Sequence, residues 1–144
     1  MTVDPKVQAI GKHLGCAHQD DIEVDGWCFE ANGGEYLVLT DDEAYDMCKE
    51  QILDSLWAIR AEFLVSHMDL GNGSANETIA AIKAVQEKCF ESCNALLFAA
   101  IRDTDDFVTE AISADGRGHF LAIYDHEEHE GVVDGQSFYI YRVN

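Results

Sequence analysis

Two turn signals, one near each end of the chain, constrain the fold more strongly than any other sequence feature. Asn32-Gly33-Gly34 separates the strand-like segments Trp27 to Ala31 and Glu35 to Thr40, and Asp134-Gly135 precedes the segment Gln136 to Val143. Asn-Gly and Asp-Gly are the dipeptides that tight β-hairpin turns prefer. The sequence therefore predicts antiparallel strands at both ends, and we expect them to share one sheet.

Helical periodicity is present before the first of these turns and in the residues between the two turns. Thr40-Asp41-Asp42-Glu43 forms a capping box at the start of one of them, and Pro5 after Asp4 suits the first turn of another. The predicted helices run from about Asp4 to Leu14, Thr40 to Met68, Ser74 to Ile101 with at most one break, and Asp105 to Ala114. We therefore predict an α+β fold in which a small antiparallel sheet from N- and C-terminal β-hairpins packs against two or three long helices.

The composition predicts one soluble domain over residues 1–144. The hydrophobic fraction is 47%, and neither the lone proline nor any Ser/Gly-rich linker divides the chain. Residues 1–15 lack the apolar core of a secretory signal, and the longest apolar stretch, Ala95 to Ile101, is too short to span a bilayer. With five cysteines and no signal, we expect reduced thiols and a cytoplasmic location.

The charge balance is strongly acidic. The chain has 28 Asp and Glu against 9 Lys and Arg, a formal net charge of −19. Such a chain repels nucleic acid and anionic membranes and attracts basic surfaces. No two basic residues are adjacent, so no basic patch for phosphates is visible and direct nucleic-acid binding is not expected. Plain solubility or halophilic adaptation is the alternative explanation of the charge.

The carboxylates form groups near the ends of the predicted elements. Duplex DNA carries about one charge per 1.7 Å of axis, and rows of carboxylates could offer a comparable charge density to a DNA-binding channel. We therefore predict a surface that binds a basic partner, formed by Asp20, Asp21, Glu23, Asp25, Asp41, Asp42, Asp46, Asp103, Asp105, Asp106, Glu127 and Glu128.

Common catalytic signatures are missing from the sequence. It contains no Gly-x-Ser-x-Gly, no phosphate-binding loop, no His-Glu-x-x-His and no Cys-x-x-Cys. We therefore assign no catalytic residue, no cofactor and no metal site. Two histidine-containing groups are most simply a polar helix end and a solvated acidic loop, namely His13, Cys16 and His18, and His119, His126 and His129. A metal-dependent enzyme that uses the second group is an alternative hypothesis.

Three further patterns have simple interpretations. Cys89 and Cys93, four residues apart, indicate small buried core residues, and Gly116-Arg117-Gly118 indicates a helix stop or an anion-binding turn. The aromatic residues Phe138, Tyr139 and Tyr141 could form a contact at a sheet edge or a homodimer. An acidic scaffold or regulatory protein is therefore another alternative hypothesis.

Several segments resemble small uncharacterised acidic proteins of bacteriophages and prophages. They are Glu35-Tyr36-Leu37-Val38-Leu39-Thr40-Asp41-Asp42-Glu43-Ala44, Ser55-Leu56-Trp57-Ala58, Asp115-Gly116-Arg117-Gly118-His119-Phe120-Leu121-Ala122, Tyr124-Asp125 and Phe138-Tyr139-Ile140-Tyr141-Arg142. The resemblance implies a phage accessory protein in the host cytosol, and it assigns no catalytic residue. Together with the charge, it leads us to expect an inhibitor of a bacterial defence system, such as an anti-CRISPR protein or an anti-restriction DNA mimic.

Overall fold

The computed structural model describes residues 4–15, 22–25, 28–69 and 75–144, apart from the side chain of Asp25. The chain divides into two compact units, which we name the sheet unit (Met1–Cys48 with Asp115–Asn144) and the helical unit (Lys49–Ala114). The predicted α+β class is confirmed. The prediction of one domain over residues 1–144 stays a prediction.

The described residues form five strands and seven α-helices. The strands are β1 (Glu23–Asp25), β2 (Cys28–Ala31), β3 (Gly34–Leu39), β4 (His129–Val133) and β5 (Gln136–Arg142). The helices are α1 (Pro5–Leu14), α2 (Asp41–Asp54), α3 (Ala61–Ser66), α4 (Ala75–Cys89), α5 (Asn94–Ala100), α6 (Thr104–Asp115) and α7 (Arg117–Leu121). None of the helices in the described ranges is long and apolar enough to cross a membrane.

The sheet unit contains one antiparallel sheet with the strand order β1-β2-β3-β5-β4. Asn32-Gly33 and Asp134-Gly135 have the positive φ angles of type I′ turns, 51° and 77° in the first turn and 51° and 80° in the second. Strand β3 pairs with β5, which confirms that the two terminal β-regions share one sheet. The sequence also predicts a turn at Asp25-Gly26, where Gly26 lies outside the described residues.

Helix α1 covers one face of this sheet. Its cap forms as predicted, because the Asp4 carboxylate accepts a hydrogen bond of 2.9 Å from the backbone N–H of Lys6, and the helix ends at Gly15 with a φ of 69°. Ile10 of α1 is fully buried with Val38 and other side chains of the sheet. The burial of this apolar face stabilises the unit by the transfer of side chains out of water.

Two of the three aromatic residues of β5, Phe138 and Tyr141, belong to the core, and Tyr139 is half-buried. Strand β5 lies between β3 and β4, Phe138 is 3% exposed and Tyr141 is fully buried. The expectation that Phe138, Tyr139 and Tyr141 form an edge contact is therefore wrong, because both sides of the strand already have hydrogen-bond partners. The alternative of a homodimer stays a prediction.

The helical unit corrects the prediction of a continuous helix from Thr40 to Met68. The chain leaves the α-helix after Asp54 and continues through a 3₁₀ turn at Leu56–Ala58 before α3. Two side-chain amides replace the missing helical hydrogen bonds. Asn94 donates to the Leu53 carbonyl at 2.7 Å and accepts from the Trp57 N–H at 3.3 Å; Gln86 Nε2 donates to two further carbonyls in this segment, at 3.2 and 2.7 Å.

The second long helix breaks once, which was one of the two predicted outcomes. A 3₁₀ segment at Phe90–Cys93 separates α4 from α5, and Phe90 has a φ of 47°. The break rotates the two cysteines apart, so that Cys93 is buried while Cys89 is exposed. The prediction of a buried thiol is therefore confirmed for Cys93 and wrong for Cys89. Helix α6 forms where predicted.

Candidate functional site

Three glutamates lie directly opposite one another on adjacent strands of the sheet unit. Glu23 on β1 pairs in register with Glu30 on β2, and Glu30 pairs with Glu35 on β3. Directly opposed residues of an antiparallel sheet point to the same face, and like charges in that position are destabilising. We name these three side chains the glutamate row.

The glutamate row lines an open cavity of about 410 Å³ at the β2–β3 turn. The rest of the lining is Ala31, Asn32, Gly33, Gly34 and Asn144. Glu23 and Glu30 are exposed, and Glu35 is half-buried. A concave surface with three carboxylates is complementary to a cationic group such as a lysine or arginine side chain.

The sequence prediction included only Glu23 of this row. Glu30 and Glu35 were missed because they are isolated acidic residues in apolar strands, outside every acidic group of the sequence. The sequence nevertheless contains a signal for the pairing of Glu30 with Glu35. In a hairpin with the two-residue turn Asn32-Gly33, residues 30 and 35 are equidistant from the turn and must face each other.

The structure assigns two of the predicted partner-binding carboxylates to an internal network around Arg117. The guanidinium lies 2.7 Å from Asp41 Oδ1 and 2.8 Å from Glu128 Oε1, and it stacks 4.4 Å above the ring centroid of Tyr139. The buried hydroxyl of Tyr141 donates a hydrogen bond to the same Glu128 oxygen. Arg117 is therefore engaged by two carboxylates and an aromatic ring, in place of the anion-binding role considered for its turn.

This network shifts the pKa of its members. Burial lowers the pKa of Arg117, but the hydrogen bonds that its guanidinium donates to Glu128 and Asp41 outweigh this effect and raise the pKa above its ordinary value. Burial, reinforced by the hydrogen bond to Glu128, raises the pKa of Tyr141. Burial likewise raises the pKa of the Cys48 thiol to about 12. All three groups keep their protons at neutral pH, which is consistent with a structural role.

Asp42 and Asp46 lie exposed on α2, and neither has an ion-pair partner among the described residues. They remain available for a partner. Asp20 and Asp21 lie outside the described residues, as does the side chain of Asp25.

The three predicted carboxylates of the helical unit have local roles. Asp103 caps α6 by accepting hydrogen bonds from the N–H groups of Asp105 and Asp106, at 3.1 and 3.2 Å. Asp105 also forms an ion pair of 2.5 Å with Lys49. Asp106 lies 3.8 Å from the buried imidazole of His67. These contacts explain the acidic group at the start of α6 without a partner.

His67 is the buried polar side chain of the helical unit in the described residues. Its ring packs at a centroid distance of 5.1 Å against both Phe63 and Phe107. Its Nε2 lies 2.7 Å from Glu110 Oε2, but the direction is outside hydrogen-bond geometry. The packing of its ring against two phenylalanines accounts for His67 as a core residue.

A second group in the sheet unit combines histidines with carboxylates. Among the described residues, the ligand atoms of Asp125, Glu127 and His129 all lie within 4.8 Å of one another. The ring centroid of His13, at the end of α1, lies 4.6 Å from that of His129. We name these four residues the histidine–carboxylate cluster. His13, Asp125 and His129 line a cavity of about 130 Å³ that also touches Arg142.

The histidine–carboxylate cluster differs from both histidine groups seen in the sequence. It takes His13 from the first and His129 from the second, because α1 packs against β4. His119 and His126 instead stack on each other, with ring centroids 5.4 Å apart.

Partial burial, together with the neighbouring His129, lowers the pKa of His13 despite the opposing effect of Asp125. A neutral imidazole with a free ring nitrogen is the form that binds metal ions.

The glutamate row and the histidine–carboxylate cluster are defined by the geometry of the sheet unit alone. The resemblance to phage proteins stays a prediction. No family model, no curated protein and no solved structure matches this chain.

Proposed function

We propose that this protein is an inhibitory binding protein that occupies the basic, nucleic-acid-binding surface of a partner through its exposed carboxylates. The sequence resemblance to phage proteins suggests the partner class, which is a bacterial defence complex such as a CRISPR effector or a restriction enzyme. In this proposal the carboxylates replace the phosphates of DNA. The protein acts by competition and needs no catalytic residue.

The observation that carries the proposal is the glutamate row. Cross-strand pairs usually contribute about 0.2–1 kcal/mol, and directly opposed like charges act against folding. Glu30 faces a carboxylate on each side, at Glu23 and at Glu35. A basic partner that enters the cavity would convert this repulsion into attraction, so the cost in the free protein is recovered in the complex.

The distribution of internal ion pairs supports the same conclusion. Cations of the sheet unit are directed to particular carboxylates, with Arg117 on Asp41 and Glu128, and Lys6 at 2.9 Å from Glu43. The glutamate row receives none of them among the described contacts. Its negative charge is therefore presented to solvent within a concave surface.

Competition with DNA tests this proposal directly. Purified CRISPR effector complexes and restriction enzymes are loaded with fluorescent duplex DNA, and the protein is added while fluorescence anisotropy is followed. We expect displacement of the DNA from at least one of these complexes, with an affinity that falls steeply as salt is raised, because charge pairs across the interface are screened.

Matched charge variants locate the contact. Glu30→Gln is expected to weaken displacement of the DNA. Addition of Glu23→Gln and Glu35→Gln to this variant is expected to weaken displacement further. Glu130→Gln on β4 is the control, because it removes the same charge from an exposed strand position opposite the uncharged Tyr139. Displacement that is independent of salt, or lowered equally by the control, would contradict phosphate replacement by the glutamate row.

A further inference from the structure

We infer that the histidine–carboxylate cluster is a binding site for a divalent transition-metal ion of the Zn²⁺ type. The inference is independent of the proposed partner binding. It rests on four side chains from three parts of the sheet unit: His13 from the end of α1, Asp125 and Glu127 from the loop before β4, and His129 from β4.

The donor atoms have the types and separations that such an ion requires. Zn²⁺ is bound by imidazole nitrogens and carboxylate oxygens at about 2.0–2.2 Å in tetrahedral geometry, which places neighbouring ligand atoms about 3.3 Å apart. His129 Nε2 lies 3.4 Å from Glu127 Oε2. The Asp125 ligand atom lies within 4.8 Å of both. Binding of one ion would bring these three donor atoms to the tetrahedral separation.

His13 supplies the second imidazole. Its ring is tilted by 37° against that of His129 at a centroid distance of 4.6 Å, and both rings line the same cavity. Two imidazoles and two carboxylates form a ligand set that favours Zn²⁺, Co²⁺ or Ni²⁺ over Ca²⁺ and Mg²⁺, which prefer sets made entirely of oxygens.

The loop that carries the two carboxylates is fixed from several sides. The Asp125 Oδ1 atom accepts a hydrogen bond of 3.1 Å from the N–H of Glu127, which orients the first carboxylate. Glu128, the next residue, is held by Arg117 and Tyr141. Supporting contacts of this kind orient metal ligands before the ion arrives and raise affinity.

Arg142 is the cation that also lines the cavity. Its guanidinium carbon lies 3.9 Å from the ring centroid of Tyr124, and its Nε donates to the Asn144 carbonyl at 3.1 Å. No ion pair joins it to Asp125 among the described residues. The guanidinium is therefore held by Tyr124 and Asn144 and does not pair with the carboxylates of the cluster.

Titration of untagged protein with Zn²⁺, followed by calorimetry, tests the inference. We expect one equivalent to bind. His129→Gln and Asp125→Asn are each expected to lower the affinity more than about tenfold, since even supporting groups around a metal contribute about 10–100-fold. His119→Gln is the control, because His119 is an exposed histidine that stacks on His126 outside the cluster.

Spectroscopy separates a built site from loose binding to an acidic surface. Co²⁺ in a four-coordinate site with imidazole ligands gives strong visible absorption, and we expect this spectrum in the wild type and in His119→Gln but not in His129→Gln. In NMR spectra, Zn²⁺ should shift the ring signals of His13 and His129 and leave those of His119 unchanged.

Binding of less than one equivalent, or equal affinity in all folded variants, would overturn the inference. Circular dichroism checks that each variant is folded. The DNA-displacement assay is run on metal-free protein, so a failure of metal binding can be distinguished from a failure of the proposed function.

Discussion

At the scale of single residues, local rules predict local contacts and fail where a constraint comes from a distant segment. The capping box is an example of success: Thr40 N–H donates to Glu43 Oε1 at 2.9 Å, and Glu43 N–H donates to Thr40 Oγ1 at 3.3 Å. Gly118 is an example of failure. In the sequence it is an ordinary glycine after a helix stop. In the structure, a Cβ added at this position would lie 2.7 Å from the carbonyl oxygen of His126. Only the folded chain brings that backbone against α7.

Gly118→Ala is therefore expected to destabilise the sheet unit. The nearest atoms to the new methyl group are backbone atoms of residues 126–128, which cannot rotate away, and forced overpacking typically costs about 1–3 kcal/mol. Urea unfolding followed by circular dichroism measures the change. Gly131→Ala is the control, since a Cβ at Gly131 meets its nearest atom, the Ala9 Cβ, at 3.6 Å, an ordinary contact. Equal stability of the two variants would show that the loop moves freely.

At the scale of elements, the hydrophobic periodicity located the helices but not their interruptions. The apolar residues Ile52, Leu56, Ile59 and Phe63 keep the spacing of one helix face through the break after Asp54, so no local signal ends the helix. The break is stabilised by amides that lie far away in sequence: Asn94 is 41 residues from Leu53, and Gln86 is 30 residues from Leu56. A sequence pattern read in windows of one or two dozen residues contains no trace of such partners.

Asn94→Ala should therefore lower the stability of the helical unit. The change removes a donor from the Leu53 carbonyl and an acceptor from the Trp57 N–H, both in a partly buried setting. Leaving such groups unsatisfied costs about 1–3 kcal/mol. Urea unfolding gives the free energy, and hydrogen exchange at residues 55–60 locates the loss. Asn76→Ala, the same change at an exposed position of α4, should have almost no effect. A loss of similar size in both variants would contradict the assigned role of Asn94.

At the scale of the whole molecule, the sequence predicted the excess of negative charge but not where that charge is free to act. Of the predicted partner-binding residues, Asp41, Glu128 and Asp105 are engaged by cations of the chain. The glutamate row depends instead on strand register. The turn at Asn32-Gly33 sets the pairing of Glu30 with Glu35, whereas the pairing with Glu23 also requires the register of β1, which net charge cannot indicate.

If the glutamate row is held for binding, then its removal should stabilise the free protein. Glu30→Gln relieves repulsion from two directly opposed carboxylates, and we expect an increase of about 0.5–1 kcal/mol in the free energy of unfolding at low salt. The gain should shrink at high salt, because screening weakens the repulsion in the wild type. Urea unfolding at two salt concentrations measures both effects, with Glu130→Gln as the charge-matched control.

A variant that is more stable yet displaces DNA less well separates function from folding, since a residue with a purely structural role would lose both stability and displacement together. Loss of stability in Glu30→Gln would instead mean that the carboxylate has a favourable partner in the free protein, and the glutamate row would then no longer support the proposed binding function.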